Sequence, residues 1–125
     1  MTKPTIGLQG ASGSFSEMAA HEFARMHKLE SYDLKYLISS EGVLTALSEN
    51  VIDYGIFAIE NAQGGVVIES IHALAHNNCD ILSLFQIAIS QNLLVKPGTR
   101  STDITAIHSH QQALRQCRNY LADHF

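Results

Sequence analysis

The chain has 125 residues, 46% of them hydrophobic and 16% charged, a balance that excludes a disordered segment and sets one domain with a modest core as the expectation. A net charge of −4 argues against nucleic acid or an anionic membrane as a partner. An anion bound by such a chain must be held by local donors rather than drawn in by long-range steering.

Met-Thr-Lys-Pro-Thr leads straight into Thr5-Ile-Gly-Leu-Gln9, which reads as a short buried strand with no leader ahead of it. Gly10-Ala-Ser-Gly13 follows as a turn. Phe15, Ala19, Phe23 and Met26 then recur at helical spacing, with Glu22, Arg25 and Lys28 turned elsewhere. Ser14 and Glu17 have the Ser-x-x-Glu spacing of a capping box, which marks the start of the helix. A glycine turn feeding a helix start leaves N–H groups uncovered at the positive end of the dipole, which suits a carboxylate or phosphate. The same residues also serve as a plain strand-to-helix turn. Gly7, Gly10 and Gly13 are evenly spaced, so the dinucleotide fingerprint is absent, and no Gly-Lys-Ser/Thr makes it a P-loop.

Asp33-Leu-Lys-Tyr-Leu-Ile38 alternates and predicts a second strand. Ser39-Ser40 can cap the next helix, whose Val43, Leu44 and Leu47 make an apolar face. Tyr54-Gly-Ile-Phe-Ala-Ile59 is nearly continuous in apolar character, as in a strand buried on both faces. This order implies a parallel sheet. Glu60-Asn-Ala-Gln-Gly-Gly65 closes the third strand, at the edge where open αβ sheets bind ligands. A polar turn in which Asn61 bonds its own backbone is the alternative.

Val66 to His76 predicts a helix with Val67, Ile71 and Leu74 inward. His72 and His76 stand at i and i+4, but no third metal ligand accompanies them. Cys79 and Cys117 are too few and too far apart for a disulfide scaffold or a Cys-x-x-Cys site. Asp80 to Val95 is a long apolar run that predicts one long strand or two consecutive ones, ended by Pro97-Gly98. Ile104 to His108 predicts another strand. From Gln111 a helix follows with Ala113, Leu114, Cys117 and Leu121 on one face. Ser109-His110 lies at that junction, with Ser109 a natural N-cap. No apolar run reaches the ~18 residues of a membrane span.

Three stretches in order carry a family resemblance: Leu8-Gln-Gly-Ala-Ser-Gly-Ser-Phe-Ser-Glu17, Ile59-Glu-Asn-Ala-Gln-Gly-Gly65 and Ser109-His-Gln-Gln-Ala-Leu-Arg-Gln-Cys117. Together they resemble the prephenate dehydratase family, whose pattern runs Gly-x-x-Gly-Thr/Ser-Phe/Tyr-Ser, Pro-Ile-Glu-Asn-Ser-x-x-Gly and Ser-His-Pro-Gln-Ala-Leu-x-Gln-Cys. The resemblance covers essentially the whole chain. It implies an α/β fold similar to type II periplasmic binding proteins: a mostly parallel sheet flanked by helices, with residues 1–78 as a first lobe and 79–125 as an incomplete second one. It implies the conversion of prephenate to phenylpyruvate, with loss of water and carbon dioxide, on the route to phenylalanine. The cysteine count and the lack of a signal-peptide pattern or apolar span set a cytoplasmic location as the expectation.

Carried over by position, Gly10, Gly13, Ser14 and Ser16 match the first loop, and Glu60, Asn61 and Gly65 the second. Ser109, His110, Gln112 and Gln116 match the third, with Ser109 and His110 as catalytic candidates. No cofactor or metal is expected. Three positions depart from the pattern: Ala58 stands where the family has Pro, Ala62 where it has Ser or Thr, and Gln111 where it has Pro. Thr99-Arg100 is followed by Ser101 and precedes the third stretch, so it is not the family's Thr-Arg-Phe motif, whose place would fall past residue 125. The expected partners are a small dicarboxylate and either a second copy or another chain covering the open lobe. A non-catalytic carboxylate-binding module, or a remnant with no ligand, are the readings from other classes.

Overall fold

The computed structural model describes residues 2–125. Two compact units divide the chain between Ile87 and Ala88, inside the long apolar stretch.

The first unit is an α/β layer built on three parallel strands, ordered β2-β1-β3. β1 (Thr5–Leu8) is central, β2 (Asp33–Tyr36) and β3 (Tyr54–Ile56) flank it, and Leu8 sits opposite both Tyr36 and Ile56. Because side chains alternate across a strand, Ile6 and Leu8 share one face and Gly7 the other. On the first face Ile6, Leu8 and Ile56 are buried with Phe23, Ala20 and Ala24 of α1 (Phe15–Met26). On the second face Gly7 and Gly55 are register partners, and side chains of the α2 layer fill the space they leave. Val43 and Ala46 of α2 (Ser40–Ser48) are buried there with Ile52. Burial of one such side chain stabilises by about 1.5–3 kcal/mol, so these two small clusters account for the layer's cohesion.

Beyond β3 a two-stranded antiparallel hairpin forms from β4 (Glu60–Asn61) and β5 (Gly65–Val66). α3 (Ile68–His76) follows and is tied to α2 by polar contacts: Glu69 Oε1 accepts from both N–H and Oγ of Ser40 at 3.3 and 3.2 Å. In the second unit a short 3₁₀ turn (Ser101–Asp103) precedes α4 (Gln111–Gln116) and α5 (Arg118–His124).

Several expectations are corrected. α1 seats on Ala20, Phe23 and Ala24, while Phe15 and Met26 are 38% and 42% exposed. α3 begins at Ile68, since Val66 belongs to the hairpin, and it buries Ser70 and Ala73 while Ile71 is 41% exposed. In α3 small residues form the seat, and in α1 Ala20 and Ala24 flank Phe23, because small residues let the backbone approach its neighbour closely. β2 stops at Tyr36 and β3 at Ile56, short of Ile38 and Ile59.

Neither Asp80–Val95 nor Ile104–His108 is a strand. Extended backbone becomes a strand only with a hydrogen-bonded neighbour, and neither stretch has one among the described residues. Phe85 instead packs against the first core cluster, which keeps the start of the run with the first unit. The helix from Gln111 breaks at Cys117 into α4 and α5. No helix among the described residues is long and apolar enough to cross a membrane.

Candidate functional site

The first loop leaves the carboxyl end of the central strand. Gly10 and Gly13 adopt φ of 124° and 82°, a region that favours glycine. At Gly10 a Cβ would lie 2.9 Å from Ser14 Oγ, so the loop's closure on its helix requires glycine there. Ser14 is the N-cap of α1, and its Oγ accepts from Glu17 N–H at 3.3 Å. The reciprocal bond differs from a capping box. Glu17 Oε2 accepts from Gly13 N–H at 3.2 Å, because Ser14 N–H already donates to Ala11 C=O.

Glu17 also accepts from the Tyr36 hydroxyl at 2.7 Å. That bond, followed in effect by the one from Gly13, holds the Glu17 carboxyl below the usual carboxylate range, and the same partnership raises the Tyr36 phenol above its own. The loop therefore carries an internal carboxylate on one of its N–H groups. The N–H groups of Phe15 and Ser16 and the Ser16 hydroxyl make no hydrogen bond among the described residues, and they are the donors left for a ligand.

The second loop leaves β3, the strand beside β1. Asn61 Oδ1 accepts from Gly64 N–H and, at 3.2 Å, from Gln63 N–H, while Gly65 takes φ of 71°. The turn expected as the alternative is thus present, and of the Asn61 side chain the amide Nδ2 remains to donate outward. Glu60 is exposed at the base of the hairpin, opposite Val66. Sequence reasoning did not single out Gln9, which joins the two loops. Its N–H donates to Ile56 C=O at 3.0 Å and its Oε1 accepts from Ala58 N–H at 3.3 Å. The signal was a polar residue ending an apolar strand.

In the second unit His110, not Ser109, is the N-cap of α4: its Nδ1 accepts from Gln112 N–H at 3.1 Å. An accepting Nδ1 leaves the proton of the neutral ring on Nε2, which points a donor away from the helix. Ser109 is exposed, and Gln116 Oε1 accepts from Gln91 Nε2 at 3.1 Å. Arg100 is engaged by Asp103 through both carboxylate oxygens, at 3.0 and 3.2 Å. A hollow of about 400 Å³ in this unit is lined by residues 104–107 together with Leu114, Leu121, Ala122 and Phe125, and no charged side chain lines it.

None of the 8 Lys and Arg residues falls within 9–16 or 58–66, so the donors these two loops present are N–H, hydroxyl and amide dipoles rather than cationic side chains. His72 and His76 are exposed, and His76 Nδ1 lies 2.7 Å from His72 C=O. Among the described residues no group of His, Cys, Asp or Glu is placed to hold a metal.

A parallel αβ layer with glycine- and amide-bearing loops at the carboxyl ends of adjacent strands defines an α/β protein whose loops lie at the edge where such sheets carry ligands. The family model for prephenate dehydratase matches residues 6–125, and the chain belongs to that family. It is 35% identical over 121 residues to a prephenate dehydratase of Lactococcus lactis subsp. lactis (strain IL1403), covering 96% of this chain and 41% of the relative. It is 31% identical over 117 residues to a bifunctional chorismate mutase/prephenate dehydratase of Buchnera aphidicola, covering 94% and 31%. The protein of that same name from Escherichia coli (strain K12) is 27% identical over 116 residues, covering 93% and 30%. The chain thus spans less than half the length of these relatives. No solved structure matches it significantly.

Proposed function

We propose that this chain acts in the cytoplasmic conversion of prephenate to phenylpyruvate in phenylalanine biosynthesis. The observation that carries the reading is the placement of two family motifs at the carboxyl ends of adjacent parallel strands, with uncommitted donors on each. In the reaction the bond between the ring and its carboxylate breaks and carbon dioxide leaves. That electron pair completes the aromatic ring and expels the para hydroxyl, which takes a proton and departs as water. The side-chain carboxylate is held by Phe15 and Ser16 N–H, Ser16 Oγ and Asn61 Nδ2. The ring carboxylate must lie where water is sparse, since its charge disperses as it leaves. The departing hydroxyl needs a donor, and the family resemblance offers Ser109 and His110 as the candidates for that role.

A second reading, binding without turnover, is favoured by two features. Ala62 brings no hydroxyl to the second loop, and Glu17 fills the Gly13 N–H. Association with a second copy or a partner chain is part of the proposal and is supported by exposed apolar residues in the 81–95 stretch, with Leu94 90% exposed.

The deciding assay is phenylpyruvate formation from prephenate at neutral pH, corrected for the spontaneous rate. Turnover that Asn61→Ala and Ser109→Ala both reduce supports the enzyme. A background rate with prephenate-dependent thermal stabilisation supports the binding module. Neither effect would remove both readings.

A further inference from the structure

Gln9 does two things at the end of the central strand. Its backbone N–H extends the β1–β3 ladder to Ile56, and its side-chain carbonyl reaches over to the Ala58 N–H. The first bond needs no particular side chain. The second requires an acceptor on residue 9 and an N–H on residue 58. Proline has no N–H to give, so the alanine at 58 is what makes this bond possible.

Residue 58 lies where β3 has ended and the chain runs toward the hairpin. The Ile59 carbonyl then accepts from Val67 N–H at 2.8 Å, and Asn61 organises the turn. From Ile56 to Ile59 the Gln9 amide is therefore the tie between this connector and the strand that feeds the first loop. Without it, Phe57–Ile59 keeps the packing of Phe57 against Val43, Ala46 and Ile52 and the register behind it, but no hydrogen bond to β1 among the described residues.

We infer that Gln9 is a positioning residue of the candidate site. Through Ala58 it fixes the height of the Asn61 hairpin above the strand ends, so that the donors of both loops address one small carboxylate ligand. This rests on the prephenate reading for the ligand, but the positioning itself can be observed without one.

The experiment uses the full chain, ¹⁵N-labelled, as wild type, Gln9→Leu and Gln9→Glu. The leucine keeps the half-buried bulk and removes the acceptor, whereas glutamate restores an acceptor at the same reach. In Gln9→Leu the Ala58 amide should exchange about five-fold faster, and the Gln63 and Gly64 amide signals should move, with the β1 amides unchanged. Gln9→Glu should keep the Ala58 protection. The prephenate Kd should weaken about three- to ten-fold in Gln9→Leu.

Unchanged Ala58 and hairpin amides in Gln9→Leu would overturn the inference. So would a general loss of protection that includes β1, which is the mark of a merely structural residue. Absence of saturable prephenate binding in the wild type would count against the ligand reading alone, and the amide signals would still decide the role of Gln9.

Discussion

The Tyr36 hydroxyl donates to the Glu17 carboxylate at 2.7 Å, joining the end of β2 to the first turn of α1. The same carboxylate accepts from Gly13, so the glycine loop is braced by an anion of its own. Glu17 titrates below the usual range for this reason, and Tyr36 above its own. The stabilisation is present at pH above the ordinary glutamate value of about 4.3 and is lost as pH falls through the lowered folded value. On the alkaline side it is kept below about 10 and lost as pH rises through the raised tyrosine value. Tyr36→Phe should move the Glu17 carboxyl titration, followed by NMR, back toward the ordinary range. An identical Glu17 titration in both proteins would rule out this bond in solution.

Gly7 and Gly55, register partners in β1 and β3, open the sheet face that receives α2. A Cβ on Gly55 would lie 2.6 Å from Val43 Cγ1. Gly55→Ala should therefore cost about 1–3 kcal/mol in urea unfolding. Combined with Val43→Ala it should cost less than the sum of the two single changes, because the truncated side chain makes room. Strict additivity would place the strain elsewhere.

Ile38 has φ of 64° and is 70% exposed, an unusual state for a β-branched residue. The Ser39 N–H donates back to Leu37 C=O at 2.7 Å, so Ile38 is the centre of a tight γ-turn. The turn delivers Ser39 to its place as N-cap, where its Oγ accepts from Gly42 N–H at 3.0 Å. Ile38→Gly relieves strain of about 1–3 kcal/mol, offset in part by glycine's greater freedom when unfolded. The variant should melt at or above the wild-type temperature, and a clear drop would contradict the turn.

His110 caps α4 through Nδ1. Asparagine also caps well, so His110→Asn separates the cap from the proton on Nε2. If His110 donates to the departing hydroxyl, His110→Asn keeps its melting temperature but loses turnover by about 10²-fold or more. Equal turnover would leave the residue a cap alone.

Sequence patterning located the layer well where large apolar side chains do the packing. β1, α2 and both loop positions follow from it, and Ser14 and Ser39 cap as their spacing suggests. It failed where small residues form the seat. Ala20 and Ala24 in α1, and Ser70 and Ala73 in α3, carry little hydrophobic weight in a periodicity count yet are buried. It also failed where pairing decides: 80–95 and 104–108 have strand composition but no neighbour to complete a ladder. In the candidate site the motif residues were legible as types. The commitment of Asn61 Oδ1 to its turn, the Glu17 carboxylate on Gly13 and the Gln9–Ala58 tie were not, because each depends on which polar atom finds which partner.

The measurement that bears most directly on the account is calorimetric titration of prephenate into the wild-type chain and into Asn61→Ala and Ser16→Ala. The account predicts saturable binding that each substitution weakens about five-fold or more, as loss of a hydrogen bond to a charged group should. Binding that neither substitution alters would contradict it, because the carboxylate would then be held by something other than the two loops at the strand ends.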